Sequence, residues 1–205
     1  MKKIMVSFLT LGFVMMMGMS ESAHALITSK PAEVAAAKAL FLKTCYKCHG
    51  KTAGGMDDTA PKLSSQNKYF VAQAIKDFQS GARYPKHKTV VAGLDSRARL
   101  AMGTYLEGLA GGGEDGTLPA VKNTHNIEKF FWHKCAMCHG QNVEGTDFGP
   151  RLREQWPFYL EQEIANFSKE DRPLRMMAGH LFDLDQDAGL RNDLISYLQA
   201  GLVRE

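Results

Sequence analysis

The sequence predicts an all-α protein that consists of two copies of one small helical unit. Two observations support the prediction of helices: apolar residues recur at steps of three and four positions, and no segment shows the sustained alternation of apolar and polar residues that is typical of a strand. The third observation is a repeat at a constant offset of 89 positions, in which Phe70, Val71, Gln73, Ile75 and Phe78 return as Tyr159, Leu160, Gln162, Ile164 and Phe167. Several landmarks at one offset indicate a tandem duplication rather than chance.

Each copy is predicted to contain three helices in the same order. The first leads into a pair of cysteines, the second carries the repeated apolar run, and the third closes the copy. Pro157 suits the first turn of a helix, and Asp185 or Asp187 can cap the last one. The predicted helices span 32–44, 69–79 and 96–109 in the first copy and 127–134, 158–167 and 187–200 in the second.

The first 25 residues have the pattern of an export signal. The chain starts with Met1-Lys2-Lys3, continues with an apolar stretch from Ile4 to Met19, and reaches Ala23-His24-Ala25. A basic start, an apolar centre and a small-x-small end predict a cleaved signal peptide over 1–25. An uncleaved anchor is the alternative, although the apolar run is shorter than the ~20 residues that span a bilayer. We therefore expect an exported protein with no integral membrane span in the mature chain.

A glycine-rich linker divides the remaining sequence into two domains. Ala110 to Gly116 contains four glycines and is followed by Pro119, a pattern typical of a linker. We predict domains over 26–112 and 113–205, with the linker at about 110–123. Each copy has roughly 90 residues, a size at which one hydrophobic core is marginal and a covalent cofactor adds stability.

The two halves carry opposite net charge. Residues 26–112 contain 13 Lys and Arg against 6 Asp and Glu, a net charge of +7. Residues 113–205 contain 10 Lys and Arg against 15 Asp and Glu, a net charge of −5. Such a molecule orients itself in the field of a charged partner. The pattern predicts protein partners that dock by complementary charge, and we expect no nucleic-acid partner.

The four cysteines form two copies of one motif. Cys45-x-x-Cys48-His49 returns 90 positions later as Cys135-x-x-Cys138-His139. Cys-x-x-Cys-His is the attachment signature of haem c. Two thiols one helical turn apart can add to the two vinyl groups of a haem, and the adjacent imidazole then lies beneath the iron. We predict two covalently bound haem c groups, with His49 and His139 as the proximal iron ligands.

Other uses of paired cysteines fit the sequence less well. The members of each pair are too close together to join distant parts of a fold by disulfides. A thioredoxin-like redox pair needs a βαβ context, which neither copy supplies. A Cys₄ zinc site normally has its pairs ~15–20 residues apart, not 90.

A proline follows each ligand histidine by a similar distance. Pro61 lies twelve residues after His49, and Pro150 lies eleven residues after His139; both begin a Pro-x-Leu segment. A turn proline is the simpler interpretation of either one. In both copies, however, the proline carbonyl can accept the Nδ1 hydrogen of the histidine, which fixes the ring and tunes the iron.

These motifs together resemble those of a known family. The features concerned are the two Cys-x-x-Cys-His motifs, the two Pro-x-Leu segments, the stretch from Tyr69 to Arg83 with its copy, and the closing helices at Tyr105 and Tyr197. In these features the chain resembles the cytochrome c4 family of diheme, two-domain class I cytochromes c. The resemblance implies two small class I cytochrome c domains, each wrapped around a covalent haem. It also implies haems that lie close together and electron transfer in a bacterial periplasm.

The resemblance implies a methionine as the second axial ligand of each iron, seven residues before a leucine that opens the last helix. In the second copy Leu184 points to Met177, whereas the repeat offset counted from Arg172 points to Met176. The second copy has a short insertion before its last helix, so the two counts disagree. We predict Met177, with Met176 as the fallback and His180 as a minor rival.

The first copy departs from this pattern because a histidine stands in the ligand position. His87 lies seven residues before Leu94, and the repeat offset aligns it with Met176. Met56 and Met102, the other methionines of this copy, do not lie in the expected place. We predict a His49/His87 iron in the first domain and a His139/Met177 iron in the second. Lys86 or Lys88 as ligand, or an open iron, are the alternatives.

Four further side chains are given roles from the sequence alone. Arg83 recurs as Arg172 and is predicted either to pair with a haem propionate or to be solvated at the surface. Trp132 and Trp156 are predicted to pack in the core around the haems.

The leading functional hypothesis is a periplasmic diheme electron carrier with redox proteins as donor and acceptor, and not an enzyme. The first alternative is a dedicated electron-accepting subunit of a periplasmic dehydrogenase, for example one that oxidises thiosulfate. The second is a haem enzyme with an open or labile distal position at the first haem. No catalytic residue is predicted, since no carboxylate pair suited to acid–base work stands out.

Overall fold

The computed structural model describes residues 28–56, 60–110, 125–169 and 177–200. These residues form helices and loops with no strand, apart from one isolated bridge between Met56 and Ala60. The predicted all-α fold is therefore confirmed. The predicted signal peptide and most of the linker fall outside the described residues, so the domain boundaries remain predictions. Within the described ranges, no helix is long and apolar enough to cross a bilayer.

The helices follow one another in the same order in both copies. The first copy contains α1 Pro31–Leu40, a π-helical turn Phe41–Cys45, α2 Tyr46–His49, α3 Lys68–Ser80, a 3₁₀ turn Pro85–His87, α4 Lys88–Val91 and α5 Ser96–Glu107. The second copy contains α6 Ile127–Lys134, α7 Ala136–His139, α8 Pro157–Ser168, α9 Ala178–Gln186 and α10 Ala188–Ala200.

The three helices predicted for each copy are present, and each copy has two more helices that were not predicted. The short α2 and α7 carry the second cysteine of each motif, and α4 and α9 precede the last helix of their copies. Leu184 lies within α9 and not at the start of the last helix, so our use of it as the opening leucine was wrong. The seven-residue spacing from Leu184 therefore does not favour Met177 over Met176 as the axial iron ligand of the second copy.

Asparagine and aspartate side chains cap three of the described helices, α3, α5 and α10. The Asn67 carboxamide oxygen accepts hydrogen bonds from two backbone N–H groups of α3, and the carboxylate of Asp95 accepts one from Ala98 at 2.8 Å. At the equivalent place in the second copy, Asp187 accepts from Leu190 at 3.0 Å. Such caps satisfy N–H groups that have no partner within the helix. Asp187, rather than Asp185, is thus the cap of the last helix.

Each copy has its own hydrophobic core, built in the same way. In the first, Phe41 packs on Tyr105 of α5 with ring centroids 5.6 Å apart. In the second, Phe131 packs on Tyr197 of α10 at 5.5 Å. The first core also contains Val71, Ile75, Val91, Ala101, Met102 and Leu106; the second contains Ile127, Val143, Leu160, Phe167, Leu181, Leu184, Leu194, Ile195 and Leu198. The aromatic pair brings the helix before the cysteines against the last helix in both copies.

The tryptophans differ from our prediction. Trp132 is 42% exposed and is not part of a core. Trp156 lies between the two copies, where the ammonium group of Lys62 sits 4.6 Å from its ring centroid. A Cβ on Gly55 of the first copy would approach the indole Nε1 of Trp156 to 2.6 Å, so the two copies are in close contact there. Trp156 therefore contributes to the contact between the copies.

Candidate haem centres

The cysteine motifs sit at the ends of short helices in both copies. In the first, Cys45 ends the π-helical turn and is half-buried, whereas Cys48 on α2 is exposed. In the second, Cys135 precedes α7 and Cys138 lies on it. All four are free thiols. Burial raises the pKa of Cys45, and burial followed by the charge of Cys138 raises the pKa of Cys135 to about 12. Cys45 and Cys135 are therefore protonated at neutral pH.

Both ligand histidines are oriented by the predicted proline carbonyls. His49 Nδ1 lies 3.0 Å from the oxygen of Pro61, and His139 Nδ1 lies 2.9 Å from the oxygen of Pro150. Because a carbonyl oxygen only accepts, Nδ1 carries the hydrogen and the lone pair of the neutral ring is on Nε2. Burial lowers the pKa of His49, and its bond to Pro61 offsets part of this change. The neutral imidazole is the form that binds iron.

The loops that carry these prolines have the same conformation in the two copies. Gly55 donates a backbone hydrogen bond to His49, and Gly145 donates one to His139, at 3.0 and 2.8 Å. Ala53 and Val143 are fully buried and have positive φ angles of 60° and 63°. A β-branched residue such as Val143 rarely adopts this conformation. The duplication has thus kept a strained loop beside each histidine.

His87 lies on the 3₁₀ turn before α4, beside a wall of aromatic rings. Its imidazole stacks on Phe78 with centroids 4.8 Å apart and an interplanar angle of 24°, and Tyr84 meets it edge-on at 5.9 Å. Burial lowers the pKa of His87, and the charge of nearby His49 lowers it further. His87 therefore lies near enough to His49 for their charges to interact.

One atom of His87 provides a test of whether the site fits a haem. Among the described residues, His87 Nδ1 is buried and has no hydrogen-bond partner. Burying an unpaired polar atom costs about 1–3 kcal/mol, so native structures avoid it unless the group has another use. Two free thiols, an oriented imidazole and a second imidazole with an unpaired nitrogen fit a covalent haem in this half.

Met177 occupies the place in the second copy that His87 occupies in the first. Each immediately precedes the helix before the last one, α9 for Met177 and α4 for His87. Their backbone angles are nearly the same, with φ and ψ of −81° and −18° for His87 and −77° and −25° for Met177. Met177 is half-buried and packs against the second core. This correspondence favours Met177 as the axial ligand of the second iron. Met176 and the side chain of His180 lie outside the described structure.

The other methionines of the first copy occupy different surroundings. Met56 is 43% exposed, and its backbone pairs with Ala60. Met102 is 4% exposed and packs within the first core on α5. Lys86 and Lys88, the alternative ligands beside His87, are exposed.

Arg83 is buried, so the predicted solvation of its side chain at the surface was wrong. It is 5% exposed, and its Nη2 lies 2.8 Å from the carboxylate of Glu163 in the second copy. The same nitrogen donates to the hydroxyl of Tyr159 at 2.5 Å. Tyr84 of the first copy donates a short hydrogen bond to Glu163 as well. A haem propionate stays a predicted partner for the other N–H groups of Arg83, and Arg172 lies outside the described residues.

Solved structures of known proteins resemble this arrangement. No protein-family model and no curated protein sequence matches the chain. Reduced recombinant cytochrome c4 from Pseudomonas stutzeri superposes with a TM-score of 0.67 at 16% identity, over 85% of this chain and 100% of that one. The chain has the fold of cytochrome c4. Cytochrome c4 from Acidithiobacillus ferrooxidans agrees, with a TM-score of 0.59 at 20% identity over 76% of this chain and 98% of that one.

Part of a larger protein is also similar to this chain. Thiosulfate dehydrogenase TsdBA from Marichromatium purpuratum has a TM-score of 0.63 at 21% identity, over 78% of this chain. The match covers 36% of the TsdBA chain, so our chain corresponds to about a third of that protein. The fold of this chain therefore resembles the whole of the two cytochrome c4 chains and a part of TsdBA.

Proposed function

We propose that this chain carries two covalent haem c groups and acts as an electron-transfer protein in the bacterial periplasm. The observation that carries the proposal is the repeated pair of oriented histidines, each following two free thiols and each bonded through Nδ1 to a proline carbonyl. Bound haem supplies a one-electron iron couple. The proposed attachment residues are Cys45, Cys48, Cys135 and Cys138, with His49 and His139 as proximal ligands.

The proposed axial ligands differ between the two halves. His87 completes the first site, and Met177 completes the second, where a thioether sulphur replaces an imidazole nitrogen. A thioether stabilises ferrous iron and raises the potential, while a second imidazole gives a lower one. His87 therefore sets the lower potential in the first half, a difference that favours electron flow from the first half to the second.

Haem content tests the proposal directly. The wild-type protein is expected to contain two haems per chain. A Cys45→Ser/Cys48→Ser double variant is expected to contain one, because the other motif still binds its own haem. The matched control, Cys135→Ser/Cys138→Ser, should also contain one. The measurement is the pyridine haemochrome absorbance per mole of protein, and a wild-type protein without covalent haem would contradict the proposal.

The second candidate function is an electron-accepting subunit of a periplasmic dehydrogenase. The observation that favours it is the likeness to part of TsdBA, a thiosulfate dehydrogenase. In this case the chain still carries electrons, but it receives them from a dedicated catalytic partner. The opposite charges of its two halves suit either role, because docking requires complementary charge and fast release.

Assays of the purified holoprotein distinguish a carrier from an enzyme. With side-chain ligands on both faces of each iron, carbon monoxide should bind slowly, and thiosulfate should not reduce ferricyanide unless a partner enzyme is added. Rapid carbon monoxide binding at one haem, or turnover of thiosulfate by the chain alone, would instead support an open catalytic iron. A partner that restores turnover would support the subunit role.

A further inference from the structure

Two buried glutamines at equivalent positions connect the two halves of the molecule. Gln66 and Gln155 are 89 positions apart in the sequence and are 5% and 4% exposed. Each side chain crosses to the other half and binds both backbone groups of one residue. The two glutamines line the same small pocket between the halves.

The hydrogen bonds are the same in the two directions. Gln155 accepts from the backbone N–H of Lys62 at 2.9 Å and donates to the backbone oxygen of Lys62 at 3.0 Å. Gln66 accepts from the backbone N–H of Arg151 at 2.7 Å and donates to its oxygen at 3.0 Å. In this geometry a primary carboxamide binds both the backbone N–H and the backbone C=O of one residue, as a residue of a neighbouring strand does in an antiparallel sheet. All four bonds are made to backbone atoms, so none depends on the identity of the Lys62 or Arg151 side chain.

The residues held in this way follow the prolines that orient the ligand histidines. Lys62 comes directly after Pro61, whose carbonyl faces His49, and Arg151 comes directly after Pro150, whose carbonyl faces His139. The glutamine of one half therefore holds the chain segment that orients the histidine of the other half. Groups that orient a metal ligand in this way affect both ring position and ligand basicity.

We propose that Gln155 positions the proximal histidine of the first haem and that Gln66 positions that of the second. The proposal rests on the proposed function, in which His49 and His139 bind iron. Each glutamine acts through a peptide unit of the opposite half, so it is a positioning residue. The consequence is a crossed dependence, in which the properties of each haem respond to a side chain of the other domain.

The crossed pattern can be tested with two single variants of the holoprotein. Gln155→Met and Gln66→Met keep the length of the side chain and remove both hydrogen bonds to the opposite half, together with one local bond from the next backbone N–H, that of Trp156 or Asn67. Each variant is examined by potentiometric titration and by the NMR shifts of the haem methyl groups in the ferric protein. These shifts depend on the orientation of the axial imidazole and are assigned to each haem through contacts with its own thioether bridges.

Gln155→Met is expected to shift the potential and the methyl resonances of the haem on Cys45 and Cys48 and to leave the other haem unchanged. Gln66→Met is expected to do the reverse. Gln73→Met is the control: Gln73 lies on α3, where its carboxamide donates to Asp77 at 2.9 Å, and it bonds to neither proline segment. This control should shift neither haem.

Three outcomes would overturn the proposal: equal shifts of both haems, a shift only of the haem in the mutated half, or no shift in either variant. If Gln155→Met does not fold, Gln155→Glu keeps the acceptor for the Lys62 N–H and loses the donor to its oxygen. The methyl resonances of the first haem should still change in that variant, and unchanged resonances would contradict the proposal. A wild-type protein without haem would instead refute the proposed function, so the two failures are distinguishable.

Discussion

Replacing His87 by Met is expected to raise the reduction potential of the haem in the first half and to leave that of the second unchanged. Axial ligands tune haem potentials over ~0.8 V, and we expect an increase on the order of 100–200 mV from this exchange. The physical reason is that thioether sulphur stabilises ferrous iron more than imidazole does. The Met side chain would pack against Phe78 and Tyr84, the two rings that contact His87. Potentiometric titration of the two haems is the measurement.

Lys86→Met and Lys88→Met are the controls for His87→Met. Both lysines are exposed neighbours of His87, and each was an alternative ligand in the sequence. If His87 is the ligand, neither lysine variant alters the potentials by more than the small effect of a lost surface charge. An unchanged pair of potentials in His87→Met, together with a large shift in one lysine variant, would identify that lysine as the ligand instead.

Replacing Glu163 by Leu is expected to destabilise the protein by about 3–5 kcal/mol, because it leaves Arg83 buried without its counter-charge. The pair has an N–O distance of 2.8 Å, and its side chains are 5% and 8% exposed. Glu163 also accepts the hydrogen bond of Tyr84, whose pKa is raised by burial and then by the Glu163 carboxylate. The substitution removes contacts between the two halves, those of Glu163 with Arg83 and Tyr84. The free energy of unfolding is measured by urea denaturation monitored by circular dichroism.

Two variants separate the loss of the ion pair from other effects of the Glu163→Leu change. Glu161→Leu removes a carboxylate from an exposed position of the same helix and should alter stability by less than about 0.5 kcal/mol. Arg83→Met/Glu163→Leu removes both charges and should recover most of the lost stability, since no unpaired charge stays buried. A double variant as unstable as Glu163→Leu would show that packing, not charge, dominates at this contact.

The sequence predicted most of the helices because their apolar residues have a strong period and were present twice. The helices α4 and α9 were missed for a physical reason. α4 has four residues after a 3₁₀ turn, and α9 gains its stability from Leu181 and Leu184, which pack into the second core one turn apart. Short helices of this kind depend on tertiary contacts more than on local propensity. The offset between the copies also changes there, from 90 at His87 and Met177 to 92 at Asp95 and Asp187.

The candidate site was predictable as far as its residues lie in one motif. The cysteines, the histidines and the two proline carbonyls follow from local spacing. The contacts between the halves do not, because they depend on how two domains pack. Gln66 and Gln155 carried a usable signal, since both copies have glutamine at the same offset. Glu163 carried none, because its counterpart in the first copy is Ala74.

Our central claim is that the two halves share one haem attachment and differ in the second axial ligand. The most direct test is the near-infrared magnetic circular dichroism spectrum of the fully oxidised protein, which distinguishes sulphur from nitrogen ligation at ferric haem. We predict two bands of comparable intensity, one from a His/Met haem and one from a His/His haem. Two haems with the same ligation, whether both His/Met or both His/His, would contradict the claim.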